Sequence, residues 1–286
     1  MYTCSPFQST ATMVSSMIIV LLLLCTLCYA TDDTITSNNL LRDGDTIVSN
    51  GGTYALGFFN PGTSQKRYIG IWFNKVSQQI WVANRHNPIN NSSHGVLKID
   101  DRGNLAIFDA NSSSSVWSTS IALPISPTNN TSTLFYKLLD TGNLVLRDEN
   151  LHGDFLWQSF DYPTDTFLPR MKVGWNLRTG WNWSYTSWKT PDDPSTGDFS
   201  ISMNIIGLPE LVIKNLRVTN YQVYEEKLEG TGHIMAGAAD GSGVPGKEHS
   251  IINYSFVNNP NEIYFGYTIS DDSVISRIML DYQGLI

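Results

Sequence analysis

The strongest constraint on the fold is an internal repeat with a period of about forty residues. The segment DDRGNLAIFD (100–109), followed by VWS, recurs as LDTGNLVLRD (139–148), followed by LWQS. Trp117 and Trp157 hold the same place in the two copies, and Trp81 precedes Trp117 by a similar interval. Units of this length bury their apolar faces only by packing against one another. The sequence therefore predicts three comparable units that each supply one tryptophan to a shared centre, as core packing or as an aromatic platform under a sugar ring.

The units have the pattern of β-strands. Short apolar runs separated by Gly, Asn, Asp and Pro extend from residue 32 to about residue 151, and no segment there has a sustained helical period: TYALGFF (53–59), YIGIWF (68–73), QIWVA (79–83) and NLAIF (104–108). Gly103 and Gly142 each precede an Asn at a predicted tight turn that needs a positive φ. An all-β fold is predicted, in which several small sheets close around a common axis.

Composition narrows the classes of function. With 286 residues and 41% hydrophobic content, the chain can bury one sizeable core or two smaller ones. The formal net charge of −8 gives no broad positive field for phosphate backbones or anionic lipid. We therefore expect neither nucleic acid nor a nucleotide as a partner.

The N-terminus predicts a signal peptide at residues 1–30. The apolar run MIIVLLLLCTL (17–27) is too short to span a bilayer, and small residues suit cleavage after Ala30. The first 16 residues contain no Lys or Arg, so a membrane-anchored N-terminus is the alternative. All cysteines lie within the predicted signal, which leaves the mature chain without disulfides: Cys4, Cys25 and Cys28.

Acceptor sequences for N-linked glycans independently support secretion. Seven Asn residues start an Asn-x-Ser/Thr triplet with no Pro in the middle: Asn90, Asn91, Asn111, Asn129, Asn130, Asn182 and Asn253. The chain is expected in the extracellular space, or at the plasma membrane if it is part of a longer receptor.

Motifs for enzyme chemistry are weak. Gly241–Gly246 matches G-x-G-x-x-G, but no strand precedes it, Pro245 interrupts it, and Glu248 replaces the Ser/Thr of a P-loop. The five histidines are scattered without metal-ligand spacing: His86, His94, His152, His233 and His249. We predict no catalytic residues, no metal, no cofactor and no enzyme activity.

Longer segments resemble a known family. LGFFNPGTSQKRYIGIWF (56–73), IWVANRHNPI (80–89) and the two GNL repeats resemble the bulb-type mannose-binding lectin domain of plant G-type lectin S-receptor-like serine/threonine-protein kinases. LWQSFDYPTDTFLPRMKVG (156–174) and TSWKTPDDPSTGDFS (186–200) resemble their S-locus glycoprotein domain.

This resemblance implies a bulb-type lectin domain over residues 31–152. That domain is a β-prism of three small antiparallel sheets with a pseudo-threefold repeat. It is followed by a second lectin-like β domain over 153–286, although the sequence from 214 to 250 lacks the family's usual Gly-Pro-Trp-Asn-Gly. The resemblance also implies an extracellular role in recognising pollen, self or microbial signals. The kinase motifs that family members usually carry C-terminally are not in this sequence.

The mannose motif of this resemblance, Gln-x-Asp-x-Asn-x-Val-x-Tyr, is degenerate in both copies. Aligned on Asn104, the first copy has Asp100, Arg102, Ala106 and Phe108 at the other positions; the second keeps Asn143 and Val145. Each missing hydrogen bond to a sugar hydroxyl costs about 0.5–1.5 kcal/mol. A protein or peptide ligand, or a partner receptor, is therefore favoured over mannose. The alternatives are an active mannose-binding lectin and a truncated, non-signalling fragment or decoy.

Two loops are candidates for the contact surface. They are rich in Gly, Pro and polar residues and span residues 60–65 and 190–198.

Overall fold

A computed structural model describes residues 33–90, 94–110, 112, 114–121, 133–217, 251–271 and 274–286. The predicted signal peptide, its cysteines and the Gly241–Gly246 motif lie outside these residues. The part described forms one compact unit within Asp32–Ile286, and no helix in it is long and apolar enough to cross a membrane. The predicted boundary between residues 152 and 153 stays a prediction.

Three antiparallel sheets of four strands each form a prism, as predicted. The first sheet has the order β3-β4-β5-β6: Thr46–Val48, Tyr54–Phe59, Tyr68–Phe73 and Gln78–Val82. The second has the order β2-β7-β8-β9: Leu41–Arg42, Gly95–Ile99, Leu105–Asp109 and Ser115–Ser118. The third has the order β1-β10-β11-β12: Thr34–Thr36, Leu134–Leu138, Leu144–Asp148 and Trp157–Gln158.

The pairing register shows the pseudo-threefold repeat directly. Each predicted tryptophan lies on the last strand of its sheet, opposite an aliphatic residue of the neighbouring strand: Ile71 with Trp81, Ile107 with Trp117 and Leu146 with Trp157. The three partners are completely buried. Gly103 and Gly142 have φ of 82° and 83° in equivalent turns, as predicted.

The described residues that follow Gln158 form a second region, which is also all β. It packs against the prism through one continuous hydrophobic core. A sheet of order β15-β14-β20-β19 contains Trp181–Trp183, Val173–Asn176, Glu262–Ile269 and Ile252–Asn258. A sheet of order β16-β17-β18 contains Tyr185–Thr190, Asp193–Asn204 and Glu210–Asn215. A small sheet pairs β13 (Thr166–Phe167) with β21 (Ile278–Met279), and a 3-10 helix covers Ser159–Asp161. Phe167 lies at the centre, with its ring 5.3 Å from Tyr185 and 5.1 Å from Tyr267.

The prediction of a loop at 190–198 is wrong, because most of this segment belongs to strand β17, Asp193–Asn204. Thr190 pairs with Asp193 across a tight hairpin, and the register shifts twice in the pairing of β16 with β17. Gly197 permits this packing, since a Cβ there would lie 2.1 Å from the Trp188 carbonyl oxygen. Pro, Gly and Asp therefore mark an irregular hairpin here rather than a loop.

The two loops proposed as a contact surface contact each other. The Thr63 hydroxyl donates to Asp192 Oδ2 at 2.6 Å, and the Thr63 amide donates to Asp192 Oδ1 at 3.2 Å. Part of each loop is thus used in joining the prism to the second region.

Candidate functional site

The first copy of the degenerate mannose motif lies at the start of β8, and its polar groups are used inside the fold. Asn104 is 6% exposed, and its Oδ1 accepts from the Ile121 amide at 2.7 Å and the Thr119 hydroxyl at 3.3 Å. Asp100 Oδ1 accepts from the amides of Arg102 and Asn104 at 2.9 and 2.8 Å, which closes the turn. These oxygens therefore stabilise a turn and a strand rather than facing a ligand.

The other positions of this copy offer little to a sugar. Ala106 is completely buried. Phe108 is half-buried, and the ammonium of Lys98 lies 4.6 Å from its ring centroid. Arg102 is exposed, but a lone exposed cation does not define the fixed directions that ring hydroxyls require.

The second copy, at the start of β11, repeats the arrangement. Asn143 is 4% exposed, and its Oδ1 accepts from the Ser159 hydroxyl at 3.1 Å and the Phe160 amide at 3.2 Å. Its Nδ2 donates to Gln158 Oε1 at 2.9 Å, and Val145 is completely buried. The retained asparagines thus connect each strand to the segment that follows its tryptophan.

A buried polar residue two or three positions after each tryptophan takes part in the same kind of connection. This role was not predicted from the sequence. The amides of Ile69, Leu105 and Leu144 donate to side-chain oxygens of Asn84, Thr119 and Ser159 at 2.9, 3.2 and 2.9 Å, respectively. All three acceptor residues are buried. The signal was available in the repeat, since WST and WQS both place a hydroxyl two residues after the tryptophan.

The tryptophans border a cavity of about 340 Å³ that opens between the prism and the second region. Trp81 lies edge-on to Trp117 and Trp157, with ring centroids 6.2 and 6.3 Å apart. Tyr162 stacks on Trp157 at 5.5 Å, and Trp181 meets Tyr162 at 5.2 Å. Trp81 and Trp157 are 6% exposed, whereas Tyr162 and Trp181 are 43% and 42% exposed. The inner rings are therefore core, and the outer pair forms an accessible aromatic wall.

Indole groups hold this wall in place. Trp81 Nε1 donates to the Tyr162 carbonyl at 2.8 Å, and Trp181 Nε1 donates to the Asp161 carbonyl at 3.0 Å. The Asp161 carboxylate accepts from Trp183 Nε1 at 3.0 Å and from Gln158 Nε2 at 3.1 Å. The aromatic surface is thus fixed before any ligand arrives.

The ionisable groups that line the cavity are hydrogen-bonded within the fold or neutral. His86 lines it, and burial, followed by the nearby charge of Arg85, lowers the pKa of the imidazole while Asp193 opposes the shift. His86 is therefore neutral at pH 7. Arg85 and the Asp161 carboxylate also line the cavity, and both are hydrogen-bonded to other parts of the fold.

Arg85 is a buried cation that the sequence analysis did not single out. It is 8% exposed and donates across to the second region, to the carbonyls of Pro194 at 2.6 Å, Thr186 at 3.3 Å and Ser187 at 3.0 Å, and to the Thr186 hydroxyl at 2.9 Å. Burial raises the pKa of the nearby Asp165 to about 6, although the charge of Arg85 opposes the shift. Arg85 is therefore a structural link between the two regions.

The predicted glycan acceptors fall into three groups. Asn90 and Asn253 are exposed. Asn182 is half-buried beside the aromatic cavity, with a buried Oδ1 that has no hydrogen-bond partner. The remaining four lie outside the described residues: Asn91, Asn111, Asn129 and Asn130.

Among the described residues, no group of three His, Cys, Asp or Glu side chains is placed to hold a metal ion. His86, His94 and His152 belong to this part of the chain, whereas His233 and His249 do not.

Comparisons with known proteins agree with the motifs. A family model described as D-mannose binding lectin matches residues 79–189. The G-type lectin S-receptor-like serine/threonine-protein kinase RKS1 of Arabidopsis thaliana is 40% identical over 88% of this chain, which spans 29% of that relative. The S-locus-specific glycoprotein S6 of Brassica oleracea is 35% identical over 98% of this chain, which spans 62% of it.

Solved structures were also matched. A lectin of Marasmius oreades covers 46% of this chain at 19% identity and a TM-score of 0.33. A monomeric mannose-binding lectin of Gastrodia elata covers 44% at 19% identity and a TM-score of 0.32.

The three-sheet prism with its tryptophan centre defines a lectin-type β-prism protein. Within that class, the chain is similar over most of its length to plant G-type lectin S-receptor-like kinases and S-locus glycoproteins, which confirms the resemblance that its motifs predicted. It spans less than two thirds of the length of these relatives.

Proposed function

We propose that the chain is an extracellular recognition module that binds a protein or peptide ligand and has lost mannose binding at its lectin motifs. The main support is the burial and internal hydrogen bonding of Asn104 and Asn143. Both side chains are used within the fold. Of the four other motif positions, the first copy matches none and the second matches only Val145. A fold that relatives use in receptors then serves as a scaffold for other contacts.

The test is thermal unfolding of the secreted chain from residue 31 onward, with and without millimolar mannose and a mannose-rich oligosaccharide. We expect a cooperative transition whose midpoint does not change with mannose. A midpoint that rises with mannose concentration would contradict the proposal, because only a ligand bound to the folded state shifts it. Asn104→Ala and Asn143→Ala are the matched variants: they lower the midpoint without sugar but leave the response to mannose unchanged.

A glycan ligand at the aromatic cavity is the second candidate, favoured by the exposed faces of Tyr162 and Trp181. Aromatic faces pack against the apolar face of a sugar ring without any mannose motif. Under this alternative, the larger oligosaccharide stabilises the protein and the effect disappears in Trp181→Ala. A response that survives Trp181→Ala would exclude this cavity as its cause.

A further inference from the structure

A second and larger concave surface has a different chemistry. It lies between the prism and the C-terminal segment and encloses about 760 Å³. Its lining includes the turn at 51–53, the buried ring of Phe73, and two exposed aliphatic side chains, Val76 and Ile275, which are 67% and 56% exposed. We refer to this surface as the basic cleft.

The charge of the basic cleft is opposite to that of the chain. Lys75 and Arg277 line it, and none of its ten lining residues is acidic. The whole sequence has 26 acidic and 18 basic side chains, so a concave surface with cations alone is an exception. Within the described residues, neither cation has a carboxylate within 4.0 Å.

The Arg277 guanidinium is oriented by an aromatic ring and is not paired with a carboxylate of the described residues. Its guanidinium carbon lies 5.6 Å from the Phe73 ring centroid, an arrangement that orients the planar group against an apolar surface. Partial burial lowers its pKa, while buried Asp165 opposes the shift, and the group remains charged at neutral pH. Asp140, the other nearby acid, is committed to the Gly51 amide, which donates to its Oδ1 at 2.6 Å.

We infer that the basic cleft binds an acidic peptide segment, with its carboxylates at Lys75 and Arg277 and an intervening aliphatic side chain against Phe73, Val76 and Ile275. This inference rests on the proposed function and specifies its ligand class. Charge complementarity supports this inference. Guanidinium and ammonium groups beside an apolar surface form charge-assisted hydrogen bonds with a carboxylate, and these are stronger than hydrogen bonds between neutral groups. A neutral sugar gains no charge pairing from either cation.

The probe is the peptide Ac-Glu-Leu-Asp-Ile-Glu-NH2, titrated against the secreted chain by isothermal titration calorimetry at low salt. Its neutral counterpart is Ac-Gln-Leu-Asn-Ile-Gln-NH2, which keeps the size and the aliphatic residues. We expect saturable binding of the acidic peptide that weakens about tenfold in Arg277→Gln and several-fold in Lys75→Gln. The matched control is Arg178→Gln, an exposed arginine elsewhere on the surface, which should bind like the parent.

Several outcomes overturn the inference. These are equal binding of the two peptides, an equal loss in Arg178→Gln, or no binding of the acidic peptide to a cooperatively folded sample. A zero-length carbodiimide cross-link from the peptide should map to Lys75 by mass spectrometry, and mapping only to other lysines also counts against the cleft. Failure here leaves the proposed function standing if mannose still gives no shift, whereas a mannose shift contradicts that function whatever the peptide does.

Discussion

Replacing Arg85 with methionine tests the link between the prism and the second region. Methionine keeps the apolar stem but removes the donors for three carbonyls and one hydroxyl. It also leaves the carboxyl of Asp165 buried without its nearby cation. Removing one partner from such a buried network costs about 3–5 kcal/mol, which is less than the sum of the individual bonds because they share one side chain.

A loss of that size is large for a protein of this kind. At about 2–4 °C per kcal/mol for a unit of this length, the unfolding midpoint of Arg85→Met should fall by roughly 6–20 °C. Arg85→Lys keeps the charge but not the fork of donors, so it should fall by an intermediate amount. Arg178→Gln, at an exposed site, should stay within about 0.5 kcal/mol of the parent.

Urea unfolding of the secreted chain at several pH values is the deciding assay. Above pH 6 the carboxyl of Asp165 is ionised in the parent, so losing Arg85 should cost more at pH 8 than at pH 5. A cost below about 1 kcal/mol at pH 8 would refute the structural role of Arg85. A cost independent of pH would show that Arg85 acts through its hydrogen bonds and not through Asp165.

Three further predictions follow from the same contacts. The pKa of Asp165 is raised to about 6 from 3.8, so the folded state retains a proton that the unfolded state loses. The free energy of unfolding should therefore fall by roughly 2–3 kcal/mol as pH rises from 4 to 6. Asp165→Asn should remove this pH dependence in urea titrations. Asn143→Ala should cost about 1–3 kcal/mol in the same assay, because the Ser159 hydroxyl and the Phe160 amide lose their acceptor; Asn150→Ala, at an exposed turn, is the control. Gly70→Ala should also destabilise, since its Cβ would lie 2.9 Å from the Trp81 carbonyl oxygen; a parent-like midpoint would show that β5 and β6 can separate.

The repeat predicted the prism well because its period and its strand pattern are properties of local sequence. Trp81, Trp117 and Trp157 mark the last strand of each sheet, so their spacing alone indicated three equivalent units. The hairpin at 190–198 was missed because Pro and Gly mark irregular strands as well as loops. Arg85 was missed for another reason: its acceptors are more than 100 residues away, and no local pattern shows that they are buried together.

The degenerate motif has a physical explanation within the chain itself. Both copies keep Gly-Asn-Leu, and in both the Asn side chain joins a strand to the segment after the tryptophan. The other four motif positions differ between the copies: Asp100 and Leu139, Arg102 and Thr141, Ala106 and Val145, and Phe108 and Arg147. Among the motif positions, only the Asn is the same in both copies, and its hydrogen bonds within the fold are independent of sugar. Its presence is therefore evidence for the prism and not for mannose binding, and the search for a ligand moves to the aromatic cavity and the basic cleft.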